Sequence, residues 1–476
     1  MPYVNDIHSA LNRTSVQKIL IPDSLAGLQN IVKQANADNQ KISIAGGRHA
    51  MGGQQFGEDT VLVDTSRLNK VLHLDRKHGI IEVEAGIHWP EMLQELENRQ
   101  SSDDTPWGVI QTQTGASRLS LGGALSANIH GRGLRMRPIV NDVESFVLVT
   151  ADGEAAKCSR EEHPELFSLA IGGYGLFGII YSVRLKLAPR RKLERIVEIT
   201  TVDGVMEQFD ERIRNGFLYG DFQFNVDENA EDFLTTGIFA CYRPVAADTP
   251  FREGHSELAE KNWIDLLYLA HTDRREGFRQ YSEFYLSTHG QIYWSDTHQL
   301  GVYLDGYHAE VDRKLGSSHP GSEMITELYV PRPQLADFML EVRALLREKQ
   351  ARVIYGTVRL IERDEETFLP WARQSYACII FNVCITHTPE GIEHATEIFR
   401  GLIDAAASRD GSFYLTYHRF ARRDQLLRCY PDFEKFLLLK KQYDPAETFQ
   451  SDWYRSMKEL TGNTDAIPQH HTNHGV

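Results

Sequence analysis

The stretch Lys41-Ile-Ser-Ile-Ala-Gly-Gly-Arg-His-Ala-Met-Gly-Gly53 decides how the chain is read. Lys41 to Ala45 has the pattern of a short buried strand with β-branched residues. Gly46, Gly47, Gly52 and Gly53 then break regular structure, each able to take φ > 0 or to press the backbone against a ligand. A strand entering such a turn presents backbone N–H groups in a concavity that suits phosphate. No Gly-Lys-Ser/Thr follows, so this is not a P-loop, and the spacing is not Gly-x-Gly-x-x-Gly. His49 stands in the middle of the turn. By itself it reads equally well as an exposed histidine in a tight turn.

The neighbouring sequence adds two more glycine segments. Val61-Leu-Val-Asp-Thr-Ser-Arg-Leu-Asn69 is a strand and turn, Val71 to Asp75 pairs with Gly79 to Ala85, and a helix starts near Pro90. Thr112-Gln-Thr-Gly-Ala-Ser-Arg-Leu-Ser-Leu-Gly-Gly-Ala-Leu-Ser-Ala-Asn-Ile-His-Gly131 contains a small-residue helix over 121–128, which lets a backbone approach a flat ligand or another helix closely. Asp152-Gly153 makes a hairpin turn, 161–170 is expected as a helix, and Ile171-Gly-Gly-Tyr-Gly-Leu-Phe-Gly-Ile-Ile180 is a third glycine turn running into a strand. Upstream, Asp23 or Ser24 caps a helix whose Leu25, Leu28, Ile31, Val32 and Ala35 share a face.

These three segments, in this order, resemble the FAD-binding domain of the vanillyl-alcohol oxidase / p-cresol methylhydroxylase (PCMH-type) superfamily. The Ile-His-Gly form and the Asp-Pro-x-x-x-Phe-x-Ser-Asp ending at 444–452 resemble decaprenylphosphoryl-ribose oxidase and the sugar-lactone and polyol oxidases most. The resemblance implies an α+β chain: a two-subdomain FAD-binding domain over 1–190, an α+β substrate domain over 191–412 with an antiparallel sheet over the flavin, and a segment over 413–476 that returns to the first domain. It implies FAD contacts from Gly46, Gly47, Arg48, His49, Ala50, Met51 and Gly52 of the first segment. The second supplies Thr114, Gly115, Ser117, Gly122, Gly123, Ala127, Asn128, His130 and Gly131, and the third Gly173, Gly175, Gly178 and Ile179. In many members a histidine at the place of His49 is bonded to the flavin 8α-methyl, so a covalent link through His49 is expected. The cysteine that carries a second link in some relatives has no counterpart in Ile110 to Ser120.

Composition bounds the rest. A chain of 476 residues is too long for one core, and its 41% apolar and 25% charged residues are those of a globular protein. A net charge of −15 argues against nucleic acid or an anionic membrane as partner. No apolar run reaches about 18 residues, which argues against a membrane span. Five cysteines without a C-x-x-C and an N-terminus without a signal-peptide pattern point to a reduced, cytoplasmic protein. No metal is expected, and the histidines of the tail (His470, His471 and His474) read as part of a polar, disordered end.

Oxidation of an alcohol by a flavin requires a group that takes the hydroxyl proton and a polar group that holds the developing charge. On the resemblance, Glu327 in Thr326-Glu-Leu-Tyr-Val-Pro331 is a substrate contact and Arg359 in Gly356-Thr-Val-Arg-Leu-Ile361 reaches substrate or flavin. Relatives carry lysine at the place of Tyr417, which leaves Tyr417 or His418 for the proton. Read as neighbours on a strand from Phe413, they face opposite ways, and the resemblance implies that Tyr417 is the inward one. The expected activity is oxidation of a CH–OH group of a sugar-like or polyol substrate, with oxygen or another acceptor taking the electrons. The alternatives are an amine or hydroxy-acid oxidase, or a flavoprotein subunit that passes electrons to a partner; oligomers are compatible with all three.

Overall fold

The computed structural model describes residues 1–476 except 104, 114–116, 252–257, 299–303, 305 and 463–476. Three sheets organise it, together with a short pairing of Tyr3–Val4 with Thr14–Ser15. Lys18–Leu20, Val61–Asp64 and Ile42–Ala45 form a parallel sheet with Val61–Asp64 in the centre. All four residues of the central strand are buried, as expected where parallel strands are covered on both faces. The helix Leu25–Ala37 covers it with Leu28, Val32 and Ala35, and the Ser24 side chain accepts from the Gly27 N–H at its start.

An antiparallel sheet follows, in the order Ala155–Ser159, Val143–Val149, Ile179–Pro189, Ile80–Glu84 and Val71–Asp75, with Trp107–Val109 also paired to Ile179–Pro189. Ile179–Pro189 ends two residues before Lys192–Thr201 begins, and that strand belongs to the third sheet. The third sheet has eight antiparallel strands, ordered Ile292–Trp294, Lys192–Thr201, Thr236–Pro244, Tyr219–Phe224, Val353–Ile361, Tyr376–Thr386, Gly321–Pro331 and Ser412–Phe413. The helices Leu335–Glu348 and Pro389–Ala407 pack against each other and on this sheet. The chain then returns: Phe449 bridges to Ile42, with Ile42 N–H donating to Thr448 O at 2.7 Å and Gln450 N–H to Ile42 O at 2.8 Å. No helix among the described residues is long and apolar enough to cross a membrane.

Three local expectations change. The helix expected over 161–170 is Pro164–Ala170, because a residue before proline is pushed out of the helical region and His163 sits at φ 50°. Phe413 is the last residue of its strand, and 414–420 turn through loops. Among the four glycines of the first turn only Gly53 has a positive φ, while Arg48 adopts φ 59° beside them. Gly46 and Gly47 are small for lack of space: a Cβ on Gly46 would collide with Ser120 Oγ, and one on Gly47 with the Arg118 carbonyl. Thr114, Gly115 and the tail histidines lie outside the described residues.

Candidate active site

A cavity of about 290 Å³ runs between the three glycine segments and one face of the eight-stranded sheet. Ser120 joins the first two segments. Its side chain accepts from the N–H of Gly123 at 3.3 Å, capping the helix Leu121–Ala127, and from the N–H of Gly47 at 3.4 Å. The third segment turns through Gly172 (φ 74°), Tyr174 (φ 54°) and Gly175 (φ 76°) to bring Gly175, Gly178 and Ile179 to the same wall. Opposite them stand Ile325, Asn382 and Tyr355, three strands' neighbours in register, with Arg359 two repeats further along. Tyr414 and Tyr417, from the returning segment, close the end.

Arg359 is 3% exposed, and its Nε and Nη1 meet no hydrogen-bond partner among the described residues. A buried guanidinium normally has its donors filled, so an unfilled one that lines a cavity marks a place for a ligand's oxygen. Behind this wall, Glu327 is fully buried. His130 Nε2 lies 2.5 Å from its Oε1, and the Cys378 thiol (2.7 Å) and the Tyr329 hydroxyl (3.1 Å) donate to the same oxygen. Burial opposes ionisation of Glu327, but the charge and hydrogen bond of His130, the Cys378 donor and the Arg359 charge together hold its pKa below the usual carboxylate value. The Tyr417 phenol is pushed well up, first by burial and then by the Glu327 charge.

The expected site residues divide accordingly. Gly46, Gly47, Arg48, His49, Ala50, Met51, Gly122, Gly123, Ala127, Gly175, Gly178 and Ile179 line one cavity, with Arg359 and Tyr417. Gly52, Ser117, Asn128, His130, Gly131 and Gly173 lie off it. Gly52 donates to Thr416 O, Gly131 to Gln111 Oε1, and Asn128 Nδ2 to Asp364 Oδ2, so these residues tie loops together. A Cβ on Gly173 would strike the Leu169 carbonyl, so that glycine serves packing.

Glu327 and His418, expected in the catalytic set, do not line the cavity. Glu327 shares the sheet face of Ile325, but two residues further along, where His130 covers it. His418 turns into an aromatic pocket of Phe399, Phe413 and Phe420, with Thr326 Oγ1 3.2 Å from its Nε2. Tyr417 lines the cavity from a loop, where strand alternation does not apply. Sequence reasoning missed His8, which no local pattern marks, and Asn382, which was legible as a lone amide in the apolar run Ile379 to Val383.

His8 Nε2 lies 2.7 Å from His49 Nδ1. Burial lowers His8 to about 4, and burial together with the His8 charge lowers His49 to about 3; burial alone lowers His418 to about 3. All three are therefore neutral in the folded chain, whereas the unfolded chain binds protons to them below about pH 6.5. Their contribution is complete above that pH and is lost as pH falls toward the folded values. His271, raised to about 9 despite its burial by its bonds to Cys384 and Glu323, adds a decline as pH rises above 6.5. On the three neutral histidines the thermal midpoint holds steady from pH 8 to 6.5 and falls toward pH 4. His418→Phe keeps the aromatic pocket filled and should flatten that slope in fluorimetric melts; an unchanged slope would remove His418 from the account.

The cavity suits a long, flat cofactor with a diphosphate. A Cβ on Gly123 would meet only its own cap, Ser120 Oγ, at 3.0 Å and Leu119 Cδ1 at 4.0 Å, so this face of the helix is bare toward the cavity. Comparison with known proteins agrees. Residues 16–159 match the family model of the FAD binding domain, and residues 319–457 match that of D-arabinono-1,4-lactone oxidase. An uncharacterized oxidoreductase in the fasciation locus of Rhodococcoides fascians is 29% identical over 36% of this chain and 37% of its own length. L-gulonolactone oxidase of Bos taurus is 21% identical over 90% of this chain and 92% of its own. The mitochondrial L-galactono-1,4-lactone dehydrogenase 2 of Oryza sativa subsp. japonica is 27% identical over 43% and 34%. The match thus spans nearly all of the bovine protein but well under two thirds of the other two. With residues 16–159 matching an FAD binding domain, residues 319–457 matching a D-arabinono-1,4-lactone oxidase model and one cavity between them, the chain is similar to the FAD-dependent lactone oxidases and dehydrogenases.

Proposed function

We propose that the chain oxidises a CH–OH group of a sugar-like substrate, a sugar lactone or polyol, held between the glycine segments and the sheet. The observation that carries this reading is the unfilled Arg359 guanidinium lining the same cavity as Tyr417. Bound FAD would lie along Gly46 to Met51, Gly122, Gly123 and Gly175 to Ile179, and it supplies the acceptor for the hydride. Arg359 binds and orients a hydroxyl or carbonyl oxygen of the substrate. Tyr417 accepts the proton of the reacting hydroxyl. Because its phenol resists ionisation, it releases its own proton toward Glu327 as it takes the other. Glu327 is a positioning residue, held ionised by His130, Cys378 and Arg359. Tyr414 and the apolar wall of Ile325 and Ile380 exclude water.

Arg359 also suits a carboxylate, which favours a 2-hydroxy acid as the second reading. Anaerobic mixing of the holoprotein with sugar lactones, polyols, hydroxy acids and amines separates the two. Bleaching of the flavin by lactones or polyols is expected; bleaching by hydroxy acids alone selects the second reading. No bleaching by any donor overturns both and leaves an electron-transfer subunit. Oxygen is proposed as one acceptor, read from the rate at which the reduced flavin recovers its colour in air. A cytoplasmic location is proposed on the five free thiols.

A covalent bond between His49 and the flavin is proposed as well. His49 is neutral at pH 7 and lines the cavity, so a ring nitrogen keeps its lone pair. Acid precipitation is expected to leave the yellow colour in the pellet, and His49→Ala to release it to the supernatant. Colour wholly in the supernatant of the wild-type protein refutes the bond and leaves FAD binding intact.

A further inference from the structure

A second cavity, of about 310 Å³, abuts the first. His8, Ile325, Tyr355 and Asn382 line both, so the two meet at a neck on the sheet. Beyond the neck the lining is apolar. Phe224 and Ile354 come from the sheet, and Trp263, Leu266, Leu267 and Phe278 from the helices Glu260–Thr272 and Arg274–Ser287. Most polar groups on its wall have partners, Arg274 Nε and, at the neck, Asn382 Oδ1 being exceptions among the described residues. Tyr281 donates to Gln223 Oε1, and Arg274 pairs with Glu228 at 2.7 Å. No described side chain of Glu260–Thr272 is fully buried, although Trp263, Ile264, Leu266, Leu267 and Leu269 would ordinarily form a core. A helix this apolar, left half-covered against a void that opens on a redox cavity, has the form of a ligand wall.

We propose that the second cavity receives an apolar substituent of the substrate, an alkyl chain or aryl group attached to the polar head that Arg359 and Tyr417 engage. The inference rests on the reading of the first cavity as the oxidation site. It departs from plain sugar lactones, which have no apolar group to place there. The neck assigns the order of the parts: the oxidised carbon lies on the Arg359 side, and the apolar group passes Asn382 and Tyr355 to reach Leu266 and Leu267.

The test uses the FAD-loaded full chain and n-alkyl glucosides from methyl to octyl, each below its micelle-forming concentration. Affinity is measured by calorimetry, and flavin bleaching is followed in parallel. Affinity is expected to rise about three- to fourfold per added methylene until the cavity is full, since each buried CH₂ contributes about 0.8 kcal/mol. Leu267→Asp and Ala270→Trp, each checked for wild-type flavin content and melting temperature, should abolish that gradient. Equal affinity for methyl and octyl glucoside overturns the proposal, and so does a gradient that survives in both variants. Retention on phosphatidylcholine vesicles without a chain-length gradient also overturns it, assigning the helix to a membrane surface. Failure of the underlying reading looks different. A gradient with no bleaching by any glucoside, lactone or polyol keeps the apolar site and removes CH–OH oxidation; bleaching without a gradient does the reverse.

Discussion

Gly123→Val is expected to give folded protein without its yellow colour. Gly123 lies within the helix Leu121–Ala127, where glycine costs about 1 kcal/mol relative to alanine. A Cβ there presses on the cap, Ser120 Oγ, at 3.0 Å and is otherwise clear of the protein. If the position served only the fold, Gly123→Ala would change the melting temperature, through helix propensity and the contact with Ser120 Oγ, and leave flavin content unchanged. The bare helix face toward the cavity argues otherwise: the missing side chain leaves room for the cofactor backbone. Overpacking of a filled site costs about 1–3 kcal/mol, or about 5- to 150-fold in FAD affinity, with alanine near the lower end and valine near the upper. The measurement is the ratio of flavin to protein absorbance after purification, beside the melting temperature of the flavin-free chain. Full flavin content in Gly123→Val would mean that the cofactor runs elsewhere.

Tyr417→Phe should slow flavin reduction by about 10²–10⁴-fold, the usual cost of removing a general base, with flavin content unchanged. Burial and the neighbouring Glu327 charge raise the phenol pKa while the Arg359 charge lowers it. A phenol so placed does not ionise in advance; it exchanges protons as the hydride leaves. Glu327→Gln is expected to slow the same step while leaving substrate affinity nearly unchanged, because its carboxylate lies behind the wall. His418→Phe is expected to reduce its flavin at nearly the wild-type rate. Stopped-flow reduction of the three variants decides the matter. A large loss in His418→Phe with a normal rate in Tyr417→Phe would transfer the proton to the histidine.

The chain carries its cofactor class in its local sequence. Three glycine segments encode where the backbone must turn or approach closely, and such geometry is set within a few residues. The strands around them, the cap at Ser24 and the helix Leu335–Glu348 are legible for the same reason, since period and capping are local properties. Even there, tertiary packing decided the cause: Gly46 and Gly47 are small because Ser120 and Arg118, some 70 residues on by number, press against them. The arrangement of charge was decided by tertiary structure alone. Glu327 meets His130 across 197 residues, and His8 meets His49 across 41. No period or spacing records such pairs, because they depend on how separate sheets close over one cavity. The loop at 414–420 shows the same limit. Alternation along a strand is a rule for paired backbone, and past Phe413 the backbone is no longer paired, so packing decides: His418 sits among Phe399, Phe413 and Phe420, and Tyr417 packs on Tyr414 at the cavity.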